Sequence, residues 1–597
     1  MAIELQEQGN GIWAAPGARI IDRTGRRRLP IGDDGFGRAA AGSVLVDKTA
    51  LIADVLDSGY TATLFCRPRR FGKTLNMTMM KAFFEAAPAG LVDPTLFEGT
   101  EVWEMGGGSY REHFAAYPVI HLSMRTAKGD TWEQTYGALR DMLVAEFSRH
   151  SYLLGSEKIG AHDLDAVNSL LVGAASESDY AGSLLYLARL LRAHHGRPVV
   201  LLVDEYDAPV MAGYSAPGGG YYPEVVTFLK RLLTGPLKDG GEVLAFACLT
   251  GVQRISKESI FSDLNNLKVS TPLTTISDER FGFTEAEVNA LAEYLGNGDC
   301  VDELRCWYDG YRFGRSEVYN PWSVLNYFDS GCEPRDYWGN TSGNSVLGGF
   351  VSRADARTLD TLYKLCEPGG EVSAPLDLNV VFPDAGAASP ALWSMLYLAG
   401  YLTTDDPQHM GEMLLAPYRL RIPNREVAVL YKREIVDRFT GMVGGVDRYY
   451  QIHEALRMGD VISLDGALNA AVNESTSFYD LISENSAHML MTGLLYGMPG
   501  YLAPRSNGEA GDGRFDLQLC PDASICVPSA YSRPLLTIEF KFEKSGASVD
   551  DLKRLAEHAL KQIADKRYDE DVAYSGDRIR WGIAFSGKRV ATLCEKA

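Results

Sequence analysis

The sequence predicts a multidomain α/β chain, with a parallel sheet in its N-terminal half, a helical middle region and a smaller α+β domain at its C-terminus. Three observations predict it. Val199-Val200-Leu201-Leu202-Val203 is a continuous apolar run that ends in Asp204-Glu205, the pattern of a central parallel strand covered on both faces. Ala62 to Cys66 is a second short apolar run, followed by the turn Gly72-Lys73-Thr74 and a helical stretch from Leu75 to Glu85. Far downstream, Thr537-Ile538-Glu539-Phe540-Lys541-Phe542 alternates polar and apolar residues. Its strand therefore carries Glu539 and Lys541 side by side on one face and Ile538, Phe540 and Phe542 on the other.

Residues 1–40 read as a loop-rich lead-in, and residues 41–283 as the α/β core. At a strand-to-helix turn, Gly72-Lys73-Thr74 supplies backbone N–H groups, a lysine for β/γ-phosphates and a hydroxyl for Mg²⁺. Arg69 and Arg70 add cationic side chains just before it, while Arg67 stands where the full pattern asks for its first glycine. Asp204, at the carboxyl end of its strand, is placed to hold the water shell of Mg²⁺, and Glu205 to polarise an attacking water. A further apolar strand, Val243 to Leu249, ends at Thr250, a polar sensor for a γ-phosphate. Tyr117 to Leu122 adds another strand, and helices read at Trp132 to Leu154, Tyr180 to His194 and Glu224 to Leu233. The glycines at 218–220 mark a flexible loop near Asp204. Together these predict a P-loop, ASCE-type ATPase core that binds ATP.

Residues 284–342 read as a helical lid segment whose aromatic stretch, Trp307 to Tyr311, packs in a core or lid rather than stacking on nucleic acid. Residues 343–444 read as a winged-helix-like linker domain. A helix at Leu392 to Leu398 is followed by a strand start at Tyr401 to Thr404, a wing from Met413 to Leu415 and Tyr418 to Ile422, and a new helix from Pro423. Such a unit reads DNA through the major groove or serves as an intramolecular hinge, and both readings stay open.

Residues 445–597 read as the C-terminal domain: a helix at Phe478 to Tyr496, a strand at Gly500 to Ala503, a polar loop at Ser506 to Asp512, then Asp516 on its strand. The Glu539/Lys541 strand, a helix from Val549 to Tyr568 and a final strand from Ile579 to Phe585 complete an α-β-β-β-α-β order. Two carboxylates, Asp516 and Glu539, hold Mg²⁺ through oxygen, and Lys541 orients or activates water, a constellation suited to phosphodiester hydrolysis. It is the D…ExK arrangement of the PD-(D/E)XK nucleases.

Val46-Asp47-Lys48-Thr49, Arg67 to Thr74, Val203 to Asp207 and Leu249 to Ser256 resemble, in this order, the bacterial AAA-ATPase-like family. So do Phe281-Gly282-Phe283-Thr284, Trp307 to Tyr311 and Tyr319-Asn320-Pro321-Trp322-Ser323, and the C-terminal part resembles the PD-(D/E)XK nuclease domain that commonly follows. The resemblance runs from about Leu29 to about Arg589 and implies a restriction-endonuclease-like C-terminal fold. It also implies that arginine at position 67 is usual, that Gln562 occupies the place of a family glutamine, and that Glu484 is a third metal-site carboxylate. A solvent-facing acid at a helix start is the other reading of Glu484.

At 597 residues the chain is too long for one core. No apolar run approaches the length of a membrane span, and the N-terminus lacks the basic and apolar regions of a signal peptide. Nine cysteines without a CxxC pair argue against a disulfide framework or zinc site and for reduced thiols in a cytoplasmic protein. A net charge of −20 excludes indiscriminate nucleic-acid binding, but Lys541, Lys544, Lys553, Arg554, Lys561, Lys566 and Arg567 gather positive charge near the metal site. The expectation is an ATP-controlled nuclease using Mg²⁺ or Mn²⁺ on DNA in preference to RNA, with a second copy or an activating partner and no membrane. The alternative is a signalling NTPase whose C-terminal domain binds nucleic acid without cutting it. Arg254 reads as a candidate arginine finger or, equally, as an intramolecular structural arginine.

Overall fold

The structure is a computed structural model. It describes residues 4–90, 92–216, 220–255, 260–261, 264–339, 345–354, 356–367, 369–378, 390–407, 416–474, 484–523, 533–544, 546–570 and 574–597. Two compact units divide the chain: Met1–Gly343 with Glu371–Val427, and Asn344–Gly370 with Ala428–Ala597.

At the centre of the first unit lies a five-stranded parallel sheet in the order Val119–Ser123, Val199–Asp204, Leu244–Gly251, Ala62–Cys66, Leu267–Ser270. The strand that feeds the Gly72 turn is separated from the Asp204 strand by Leu244–Gly251, the ASCE-type order. Strands Ala62–Cys66 and Val199–Asp204 are buried at every position, in keeping with their mostly apolar sequences. Helices Lys73–Phe84, Trp132–Arg149, Glu177–His195 and Tyr222–Asp239 accompany the sheet. Glu177–His195 starts before the expected Tyr180 because Ser176 and Asp179 form a reciprocal capping box. The helix expected to reach Leu154 stops at Arg149 and tightens into a short turn at Ser151–Gly155. Tyr222–Asp239 runs past the expected end at Leu233 and carries Pro236 in its last turn, where the ring has no N–H to offer the carbonyl four residues back. Of the glycines expected to form a flexible loop, 218 and 219 lie outside the described residues.

The lead-in is not a loop. Gln6–Gly9, Ile12–Ala15, Ala18–Ile21 and Leu45–Val46 form a four-stranded antiparallel sheet, with a helix at Phe36–Gly42. The residues that read as loop are its turn: Gly9, Asn10 and Gly11 all have positive φ, and a Cβ on Gly11 would sit 2.3 Å from the Asp22 carbonyl oxygen. Only glycine fits such an approach.

The expected lid segment belongs to this first unit. Helices Glu285–Leu295, Val301–Tyr308 and Pro321–Asp329 and the hairpin Tyr311–Phe313/Ser316–Val318 make it up. Phe283, Leu291, Tyr308, Tyr319 and Tyr327 share an apolar cluster with Ile20 and Val44 of the N-terminal segment. Tyr308 and Tyr311 are fully buried, so the aromatic stretch is packing.

The segment expected to be one winged-helix-like domain is divided between the units. Helices Ser345–Arg353 and Ala356–Cys366 lie in the second, while the strand pair Glu371–Ala374/Tyr418–Arg421 and helix Pro390–Ala399 lie in the first. The strand expected from Tyr401 is reduced to one bridge, Thr403 to Arg421, and Met413 to Leu415 lie outside the described residues. The helix opening after Pro423 is present as Arg425–Met442.

The second unit is built on a mixed sheet ordered Arg505–Ser506, Leu517–Leu519, Leu535–Phe542, Arg578–Ser586, Arg589–Lys596. Leu535–Phe542 pairs antiparallel with Leu517–Leu519 and parallel with Arg578–Ser586. The last strand, Arg589–Lys596, was not anticipated; the expected final strand is followed by a tight hairpin at Gly587. Helix Val549–Lys566 starts at a Ser548/Asp551 capping box and buries Leu552, Ala556, Ala559 and Ile563. The helix expected from Phe478 is described from Glu484 to Leu495. No helix among the described residues is long and apolar enough to cross a membrane.

Candidate functional site

The phosphate loop is shaped by two left-handed residues, Arg70 and Gly72, before helix Lys73–Phe84 begins. Arg67 explains the departure from the glycine pattern. Its fully buried guanidinium donates to the carbonyls of Cys66 (2.9 Å), Ser270 (3.0 Å) and Ile276 (3.2 Å) and to Ser270 Oγ (2.9 Å). It lies 5.2 Å from each of the Phe281 and Phe313 ring centroids. The arginine is thus a clamp that ties the loop to the edge strand and to the lid hairpin. Burial lowers its pKa to about 10. Phe71 continues the contact, packing 5.0 Å from Tyr311 and 5.1 Å from Phe313.

Lys73 is buried and donates to the loop carbonyls of Arg67 (3.1 Å) and Pro68 (2.9 Å), and burial lowers its pKa. Thr74 Oγ1 donates to one oxygen of Asp204 (2.7 Å) and Thr250 Oγ1 to the other (2.5 Å). The structure therefore gathers Lys73, Thr74, Asp204 and Thr250 at the carboxyl edge of the sheet. Burial raises the pKa of Asp204, which a neighbouring cation would reverse. Glu205 has φ of 52° and turns from the strand end to line the cleft, its N–H donating to Thr250 Oγ1 (3.3 Å). Asp207, which sequence reasoning assigned no role, accepts from the N–H groups of Val252 (2.9 Å) and Gln253 (2.7 Å) and fixes the segment after Thr250.

The loop opens on a cleft of about 330 Å³. Its lining combines cationic Arg69, Arg70 and Lys73 with apolar Val44, Phe283, Leu291 and Leu325. The Arg70 guanidinium stacks 4.2 Å from the Trp322 ring centroid. Such a mixed lining suits a ligand that carries both an anionic and an apolar part. The remaining matched motifs hold the cleft's frame. Lys48 Nζ donates to Glu287 (2.6 Å) and to the Glu279 carbonyl (2.7 Å), while Thr284 and Glu287 form the capping box of Glu285–Leu295. Asp47 accepts from Thr49 N (2.9 Å) and Glu101 N (2.7 Å). Asn320 caps Pro321–Asp329 through Trp322 N (3.0 Å). Arg254 is not among the cleft-lining residues, whereas Arg125 and Asp34, which sequence reasoning missed, are.

In the second unit, Asp516 immediately precedes its strand rather than lying on it. The register Leu517↔Ile538 sets it beside Glu539, and its Oδ2 accepts the Phe540 N–H at 2.7 Å. Glu539 Oε1 accepts Lys541 Nζ (3.1 Å) and Gln562 Nε2, so three of the residues chosen from sequence form one network. Among the described residues, Glu539 Oε2 is buried with no hydrogen-bond partner. Burial, then the Asp516 charge, raises the Glu539 pKa to about 7. An orphaned buried carboxylate oxygen beside a second carboxylate fits a hard divalent cation, which would take oxygen ligands and relieve the repulsion. Glu484 opens helix Glu484–Leu495, and its side chain lies outside the described residues. Among the described residues no group of three or more His, Cys, Asp or Glu gathers as a metal cluster.

Two neighbours to which the sequence assigned no role complete the network. Tyr568 OH accepts from Gln562 Nε2 (3.3 Å), and His488 Nε2 lies 3.0 Å from the Asp516 carbonyl oxygen with its ring against Phe540. Their spacing in sequence gives no signal; only the fold brings them in. Of the basic residues on this domain, Lys544, Lys553, Lys561 and Lys566 are exposed, while Arg554 and Arg567 pair with Asp551 and Asp512.

Comparison with known proteins agrees with this division. Residues 30–261 match the model of a predicted AAA-ATPase family, and residues 482–595 match a PD-(D/E)XK nuclease superfamily model. The chain joins an AAA-ATPase-like domain to a PD-(D/E)XK nuclease-superfamily domain. It is also 29% identical, over 456 residues, to an uncharacterised protein of the vnfD 5′ region of Azotobacter chroococcum mcd 1, covering 74% of this chain and 77% of the relative. The AAA-ATPase-like match contains the loop, Asp204, Glu205 and Thr250, and the nuclease match contains Glu484, Asp516, Glu539, Lys541 and Gln562.

Proposed function

We propose that this chain is an ATP-controlled nuclease that cuts DNA with Mg²⁺ or Mn²⁺. ATP binds with its phosphates on Gly72, Lys73 and Thr74, aided by Arg69 and Arg70. Thr74 and Asp204 are the residues that would hold the nucleotide's Mg²⁺, with Glu205 orienting the attacking water and Thr250 reporting the γ-phosphate through Asp204. Asp516 and Glu539, with Glu484 as a third carboxylate, would hold the metal of the nuclease site, which supplies Lewis-acid activation of the scissile phosphate and of water. Lys541 orients the attacking water, and Gln562 fixes the Glu539 carboxylate. The exposed lysines of the C-terminal domain meet the DNA backbone, and the overall acidity of the chain makes that approach dependent on a second copy or another partner.

The observation that carries the reading is Glu539. A carboxylate held by Lys541 and Gln562, with its other oxygen buried and unpartnered beside Asp516, is costly unless a cation uses it. Mn²⁺ titration followed by electron paramagnetic resonance, with plasmid cleavage measured on the same samples, tests it. Wild type binds Mn²⁺ and cuts, and Asp516→Asn loses both. Metal binding without scission by wild type, with or without ATP, would instead support a nucleic-acid-sensing NTPase.

A further inference from the structure

Arg125, Lys128 and Arg280 line the cleft without a part in the reading so far, and Arg125 stands beside the acidic pair. Arg125 follows strand Val119–Ser123, and Ser123 is the register partner of Asp204. Met124 N donates to the Asp204 carbonyl (2.9 Å), so the chain is pinned beside the acidic pair just before Arg125 emerges. Arg125 lines the same cleft as Arg70, Lys73, Thr74 and Glu205, and Glu205 and Asp204 lie within electrostatic range of it. Its NH1 donates to Asp34 Oδ2 at 2.6 Å, and both side chains are about half exposed, at 51% and 42%. Asp34 also lines the cleft, and its position is fixed from behind. Thr78, on the helix that follows the phosphate loop, donates to the Asp34 carbonyl (2.9 Å) and accepts the Phe36 N–H (3.1 Å).

The order of groups along the sheet edge assigns this arginine a place. Lys73 and the loop N–H groups meet the β-phosphate at the helix N-terminus. The γ-phosphate, one link further out, falls on the side of Asp204, Glu205 and Thr250, where Arg125 arrives from the adjoining strand. A half-exposed ion pair to a single carboxylate is weak, whereas a guanidinium grips a phosphate through two parallel N–H bonds. Resting on the nucleotide reading above, we propose that Arg125 is the γ-phosphate-binding arginine of this ATPase, supplied in cis, and that Asp34 is the carboxylate it leaves when a nucleoside triphosphate binds. A diphosphate, lacking the γ group, leaves Arg125 on Asp34. The site thereby distinguishes triphosphate from diphosphate, and the exchange releases Asp34 on the segment that walls the cleft.

Calorimetric titration of the full chain with Mg·ATP and Mg·ADP tests this. Arg125→Ala loses roughly 10- to 100-fold in ATP affinity, the scale of a charged hydrogen bond, while its ADP affinity stays that of wild type. Arg125→Lys recovers part of the loss, because charge is restored but the planar fork is not. Asp34→Asn moves the other way and tightens ATP relative to ADP. Equal weakening of ATP and ADP in Arg125→Ala, or no change in either, overturns the assignment. A wild type that binds neither nucleotide, or a Lys73→Ala variant that binds both normally, sinks the nucleotide reading itself, which is a different result from loss of ATP preference alone.

Discussion

Replacing Arg67 with glycine would restore the common phosphate-loop pattern, and the structure predicts that it harms the protein. The guanidinium makes four hydrogen bonds to Cys66, Ser270 and Ile276 and sits between Phe281 and Phe313. Bonds to a charged group contribute about 1.5–3 kcal/mol each, but the sum overstates the effect. Among the described residues no carboxylate bonds to this guanidinium directly, so keeping the charge out of water costs several kcal/mol that the variant no longer bears. What remains is the loss of donors for buried carbonyls and a void between two aromatic rings, about 4 kcal/mol in total. For a unit of this size that is a fall of about 5 °C in melting temperature. The assay is a thermal melt of wild type and Arg67→Gly with and without Mg·ATP, and the variant should also bind ATP more weakly because the loop loses its anchor. A variant as stable as wild type that binds ATP more tightly would refute the clamp.

Three further outcomes are expected. Burial raises the Glu426 pKa to about 7, although it accepts from Ser323 Oγ and Trp338 N. Its folded pKa exceeds the unfolded value, so the protonated form is favoured by folding: stability is full below about pH 4.5 and falls as pH rises to 7, by about 3 kcal/mol. Denaturant titrations across that range should show a shallower slope in Glu426→Gln than in wild type, the remainder coming from groups such as Glu539. Gly282→Ala, at φ of +91° with a Cβ 3.0 Å from Val318 Cβ and 3.2 Å from Phe71 Cδ1, should lower stability. About 2–3 kcal/mol is the expected loss, read from the same denaturant titration. Glu539 also has its pKa raised, so above pH 7 the metal-free protein holds a disfavoured carboxylate. Glu539→Gln should therefore melt higher than wild type in chelator at pH 8, by about 1–3 kcal/mol, and lose the stabilisation that Mg²⁺ confers on wild type.

The sheet strands were legible because burial on both faces needs unbroken apolar runs, and Val199–Val203 is one. Asp204, Thr74 and Thr250 could be placed at strand ends and a helix start from the sequence pattern, and the fold joins all three by hydrogen bonds. The N-terminal sheet was not, because Gln6–Gly9 is exposed throughout and offers no hydrophobic alternation. The role of Arg67 was not legible, because Ser270, Ile276 and Phe281, which explain it, lie some two hundred residues away. Arg125 and Asp34 were missed for the same reason: neither belongs to a local pattern, and they meet only across the cleft. In the C-terminal domain, alternation placed Glu539 and Lys541 together, whereas Tyr568 and His488 reach the site only through the packing of two helices on the sheet.

The most direct test of the two-site account is cleavage of supercoiled plasmid in Mg²⁺, with and without ATP, by wild type, Lys73→Ala and Lys541→Ala. The account predicts ATP-dependent nicking by wild type. It predicts loss of the ATP response in Lys73→Ala and loss of all cutting in Lys541→Ala, with nucleotide binding intact. Cutting that survives in Lys541→Ala, or that is the same with and without ATP in wild type and Lys73→Ala, would contradict it.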